Sequence, residues 1–165
     1  MERKIYGQAI NAALILWIVL MTLFIFLNST MDYSVSHSVS ESVTGIFVEK
    51  VEATEESNPE LAARKAAHVI EFAFLGMGLG LSVLRIRRLF GRTPLGAACF
   101  YALAVAVADE HIQSFSDRTS STADILLDFG GAAIGIALAA GVILAVSTIQ
   151  KRSAPAVLLK GDRPL

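Results

Sequence analysis

The side chains of this chain that could do chemistry are ionisable groups set in otherwise apolar sequence, and they fall in two blocks. The first reads Arg64-Lys65-x-x-His68-x-x-Glu71. The second reads Asp109-Glu110-x-x-Gln113 and continues to Arg118 and Asp124. An imidazole beside carboxylates suits general acid–base work, so His68, Glu71 and Asp109 are the catalytic candidates. A guanidinium among them can grip a phosphate or carboxylate through paired hydrogen bonds. The candidate ligand-binding set is Arg64, His68, Glu71, Asp109, Glu110, Gln113, Arg118 and Asp124. The same groups could simply bond to one another and fix helix register, with Arg64 on Asp109 or Glu71 and His68 on a carboxylate. A metal set of His68, Glu71, Asp109 and Asp124 is the weakest alternative. One histidine with carboxylates is a poor signature for zinc, which favours more His or Cys, and neither a metal nor a cofactor is expected. There is no nucleophile motif, phosphate loop or GxGxxG fingerprint.

Helices would have to bring these groups together. At about 100° per residue, Arg64, His68 and Glu71 fall within roughly 60° of one another on one helix. Lys65 lies about 100° from Arg64 and could still join them. Asp109 and Gln113 share a face that continues through Ala106 and Ala102, with Glu110 at its edge. Asp124 and Asp128 share a stripe with Gly131 and Gly135. The faces expected to pack thus carry the acids, while His111 points nearly opposite Gln113.

Composition says what kind of helices these are. Of 165 residues, 54% are hydrophobic and 18% charged, and the mean hydropathy is +0.58. Soluble domains carry about 25% charged residues, so a soluble globule and disorder are both disfavoured. A net charge of −1 gives no field to draw nucleic acid. The one cysteine, Cys99, rules out an intrachain disulfide framework and a cysteine-rich zinc module. A membrane-spanning helix needs about 20 mostly apolar residues. Four stretches qualify, at about 7–27, 66–84, 94–113 and 124–146. The first is longer than a signal-peptide core and lacks an A-x-A-like cleavage site, so it reads as a retained signal anchor. Asn58-Pro59-Glu60 and Thr93-Pro94 read as helix starts, and Thr122 as a cap for the last span.

Lysines and arginines set the expected orientation. One side holds Arg3, Lys4, Arg85, Arg87, Arg88, Arg92, Lys151, Arg152, Lys160 and Arg163; the other holds Lys50, Arg64, Lys65 and Arg118. The expectation is an all-α integral membrane bundle of four transmembrane helices, with N and C termini cytoplasmic. Residues 1–165 form a single membrane domain, with an outer connection at 28–58 and a cytoplasmic tail at 147–165. Within the connection, Val35, Val39, Val43, Ile46, Phe47 and Val51 keep helical spacing, which fits an amphipathic helix on the outer surface. Gly76 with Gly80, Gly131 with Gly135, and Ala98 with Ala102 and Ala106 are small-residue pairs spaced for close helix contact. A buried charge in a span costs roughly 2.5–3.5 kcal/mol, yet the charged groups collect at the predicted outer end. That placement argues for an outward-facing polar pocket.

At these residues the chain resembles a known family. Arg64-Lys65-x-x-His68-x-x-Glu71-Phe72-x-x-Leu75-Gly76 resembles the first signature of VanZ-like membrane proteins. Asp109-Glu110-x-x-Gln113-x-Phe115, then Arg118, Asp124 and Gly130 or Gly131, resembles the second. The likeness runs over roughly residues 28–146. Two departures stand out: Asp128 where the family usually has Asn, and Ser116-Asp117 where it often has Pro-Gly. The family is named for a protein of low-level resistance to teicoplanin, a glycopeptide antibiotic acting on cell-wall precursors. The resemblance therefore implies a multi-pass protein of the bacterial inner membrane that binds or handles an amphipathic cell-envelope molecule, with a polyprenyl-linked wall or polysaccharide precursor as the expected partner beside the bilayer itself. The alternatives are a small membrane hydrolase or transferase using His68 with Glu71 or Asp109, and a structural or partner-binding bundle.

Overall fold

The computed structural model describes residues 2–30, 59–115 and 121–153. The amphipathic helix expected between Val35 and Val51, and Arg118, lie outside them. The described residues form four α-helices and no strand: α1 (Glu2–Thr30), α2 (Pro59–Phe90), α3 (Leu95–Gln113) and α4 (Thr122–Ser153). Each holds a stretch long and apolar enough to cross a membrane: Ile5–Thr30, Arg64–Phe90, Leu95–Gln113 and Thr122–Val146. Three of the helices run past the apolar stretches read from sequence. Intrahelical hydrogen bonding does not stop where the side chains turn polar, so hydropathy marks the membrane-crossing part and not the helix ends.

Local chemistry fixes those ends. Pro59 opens α2, as its missing N–H allows. Pro94 sits one residue before α3, with φ −76° and ψ 50° and no side-chain cap bond, so the proline expected inside the helix is displaced by one. The cap of α4 is also one residue earlier than expected. Ser121 Oγ accepts the Ala123 N–H at 3.2 Å and its carbonyl accepts the Asp124 N–H at 2.9 Å. Thr122 is already helical and comes too late to cap. At the far end of α2, Gly91 adopts φ 68° and donates its N–H to the Arg87 carbonyl at 2.9 Å. This left-handed stop turns the chain straight into α3.

α2 is the hub and packs against all three other helices, most extensively α4. Glycine makes that seam possible. A Cβ placed on Gly76 would lie 2.0 Å from the Ala132 carbonyl oxygen, and one on Gly135 would lie 2.0 Å from that of Ala73. On Gly80 it would meet Ala139 Cβ at 2.8 Å, and on Gly131 the Val69 carbonyl oxygen at 2.6 Å. The two expected glycine pairs interleave, so the backbones touch. Ala98, Ala102 and Ala106 are buried on α3, and with Ile25, Phe72, Leu75, Leu79, Val83, Val105 and Ala132 they make the apolar core.

α1 is held differently. Only 6% of its apolar window is buried, against 44% for α2, and its Ile15, Leu16, Leu20, Leu23 and Leu27 face outward. Hydrogen bonds tie it down along its length. Arg85 donates to Asn11 Oδ1 at 3.1 Å and to the Gly7 carbonyl at 3.4 Å. Trp17 Nε1 donates to the Phe74 carbonyl at 3.0 Å, and Thr22 meets the Tyr101 hydroxyl at 3.0 Å. In lipid, where apolar surfaces gain nothing by meeting each other, such bonds and close packing are what join helices.

Candidate functional site

The polar groups converge at the end where α1 and α3 finish and α2 and α4 begin. His68 and Glu71 come from α2, Asp109, Glu110 and Gln113 from α3, and Asp128 from α4; all are buried. Asp109 is the centre. Ser29 Oγ donates to its Oδ1 in a short bond, and Gln113 Nε2 donates to its Oδ2 at 2.8 Å. Gln113 Nε2 also lies 3.4 Å from Ser29 Oγ. His68 Nδ1 stands 3.6 Å from Asp109 Oδ2, too far for a hydrogen bond but close enough for charge attraction once the ring is protonated. Glu71 Oε1 accepts from Asn28 Nδ2 at 2.8 Å. Glu110 Oε1 accepts the backbone N–H of Ser121, which pins the end of α3 to the start of α4.

Beside this network opens a small cavity of about 20 Å³, room for a water molecule or an ion. Its lining is Arg64, Lys65, His68, Glu110, Gln113, Asp124, Leu127 and Asp128. Lys65 Nζ pairs with Asp124 Oδ1 at 2.6 Å at the partly exposed rim. Arg64 reaches the pocket too, but among the described residues no ion pair joins it to Asp109 or Glu71, the partners expected from sequence. Asp109 is instead bonded to Ser29 and Gln113, and one oxygen of Glu71 to Asn28. His111 lies outside the cluster, exposed, its ring edge-on to Phe115 at 4.9 Å between centroids.

The site thus unites six of the sequence-derived candidates, Arg64, His68, Glu71, Asp109, Glu110 and Gln113, with Asp124 at the rim. Three participants were not among them. Asn28 and Ser29 close the α1 side; the signal available was two polar residues ending an apolar run at the depth of the other polar groups. Asp128, already placed on the packed stripe of its helix, lines the pocket and lies within electrostatic reach of Asp109, Glu110, Asp124 and Glu71. The closest grouping of potential metal-ligating atoms is His68, Asp109 and Asp128, all within 4.8 Å of one another. This differs from the set of four weighed from sequence.

Chemically, the arrangement offers a cation for an anionic group, an imidazole against a buried carboxylate for proton exchange, and a dense patch of acceptors. The family model described as VanZ/LLP1 matches residues 14–145, which include both polar blocks and the site-bearing turns of all four helices. The chain belongs to the VanZ family. Among the described residues, this VanZ-family membrane protein of four apolar helices gathers Arg64, Lys65, His68, Glu110, Gln113 and Asp124 around one pocket, with Glu71 and Asp109 buried beside it. No curated protein and no solved structure matches the chain.

Proposed function

We propose that this VanZ-family protein binds the anionic head of an amphipathic cell-envelope molecule, of the polyprenyl-phosphate class, in the pocket at the polar end of the bundle. The bias of lysines and arginines toward the opposite end supports an outward-facing pocket in a bacterial inner membrane with both termini cytoplasmic. The observation that carries the reading is Arg64, a guanidinium that lines the pocket and is joined to no carboxylate by an ion pair among the described residues. A phosphate at the mouth of that cavity would receive its guanidinium in a paired contact. Arg118, beyond the described residues, is a second candidate cation. A role in sensitivity to glycopeptides such as teicoplanin would follow from sequestering or altering a wall precursor.

Native mass spectrometry of the purified protein with a polyprenyl phosphate tests this. Retention of the lipid by the natural chain is expected. Arg64→Ala should weaken it about tenfold or more, since a charge-assisted hydrogen bond contributes about 1.5–3 kcal/mol. No retention by the natural chain would end the proposal. A second reading, hydrolysis or group transfer, is favoured by one specific feature, the His68 ring set against Asp109. It requires a released product that disappears in His68→Ala while lipid retention persists.

A further inference from the structure

His68, Asp109 and Asp128 come from three different helices and are 7%, 0% and 3% exposed. Their potential ligand atoms lie within 4.8 Å of one another. A transition-metal cation bound at about 2.1 Å holds neighbouring donors roughly 3–4 Å apart, so small side-chain rotations close this arrangement around an ion. A second observation points the same way. Glu110 is 4% exposed and lines the same pocket as His68 and Asp128. One of its oxygens takes the Ser121 N–H, while Oε2 has no hydrogen-bond partner among the described residues. A carboxylate oxygen buried in this way calls for a cation or a donor.

Charge balance adds to this. Asp128 lies within electrostatic reach of the carboxyl groups of Asp109, Glu110, Asp124 and Glu71, five acids against Arg64 and Lys65 at the same pocket, and Lys65 is paired with Asp124. Asp109 is also prepared as a ligand should be. Ser29 and Gln113 each hold one of its oxygens in place. Partners that orient a ligand in this way are typical of metal sites. Carboxylates with one imidazole suit Mn²⁺ best, with Zn²⁺ second for want of more His or Cys.

We propose that His68, Asp109 and Asp128, with Glu110 as fourth donor, bind one divalent transition-metal cation inside the membrane bundle. The site stands whether or not the pocket takes a lipid head. The test uses the full chain in detergent, stripped with a chelator and titrated separately with zinc chloride and manganese chloride, followed by calorimetry and thermal melting. One saturable site per chain and a raised melting temperature are expected with at least one of the two. Asp128→Asn and Glu110→Gln, which keep shape and volume, should each weaken binding at least about tenfold, and His111→Ala should leave it unchanged. Melting of each metal-free variant separates a lost ligand from a lost fold. The proposal is overturned if neither cation binds saturably to the natural chain, if folded Asp128→Asn binds as well as it does, or if His111→Ala removes the binding.

Discussion

Gly130 and Gly131 are adjacent on α4 and should respond in opposite ways to the same added methyl. At Gly131 a Cβ would lie 2.6 Å from the Val69 carbonyl oxygen and 3.1 Å from Val69 Cα. Ordinary contact begins at 3.4 Å, so α2 and α4 must part by 0.8 Å there, the difference between 3.4 and 2.6. A gap of about 0.5–1 Å forfeits a quarter to a half of each dispersion contact along the seam, and overpacking of this kind costs about 1–3 kcal/mol. At Gly130 the added carbon meets nothing within 4 Å. There Gly→Ala should be neutral or stabilise the helix by up to about 1 kcal/mol. Thermal melting of the two variants in one detergent reads the difference directly. The site should register it as well, because Val69 adjoins His68 and Gly131 lies less than one turn from Asp128. Polyprenyl-phosphate retention should fall in Gly131→Ala and persist in Gly130→Ala. Equal melting temperatures for the two variants would refute backbone contact as the basis of the seam.

Asn28→Ala removes the amide that donates to buried Glu71. A loss of about 1–3 kcal/mol is expected in denaturation by melting or by strong detergent, although α1 buries little apolar surface, and no change would mean that α1 is held by its other ties alone. Lys65→Ala breaks a pair whose side chains are 43% and 24% exposed. It should cost no more than about 1 kcal/mol, shrinking in high salt. Asp109→Ala strands the Ser29 and Gln113 donors in a buried space and should cost about 2–4 kcal/mol. If Lys65→Ala proves the more damaging of the two, the placement of the network centre at Asp109 is wrong.

Much of this architecture is legible in the residues themselves. The apolar runs mark all four spans, the spacing of Gly76, Gly80, Gly131 and Gly135 marks the tightest seam, and the shared stripe of Ala102, Ala106, Asp109 and Gln113 marks the buried face of α3. These features repeat with the helical period, which any single helix carries in its own sequence. Partner choice does not. Whether Arg64 or Lys65 takes a carboxylate depends on how α2 is rotated against α4, and on Asp109 being already bonded to Ser29 across 80 residues of sequence. Asn28 and Ser29 escape for a related reason. An amide and a hydroxyl at the end of an apolar run read as an ordinary boundary until the neighbouring acids are seen to need donors. Asp128 stood on the right stripe, and only the meeting of three helices shows that it reaches the imidazole of His68.

Because α2 and α4 touch backbone to backbone, the bundle has a zipped side. Along the stretch from Gly76 and Gly80 to Gly131 and Gly135, no prenyl or acyl chain can thread between those two helices. The polar pocket is lined from α2, α3 and α4, so a hydrocarbon tail whose head lay there would leave along α3 and not through the glycine seam.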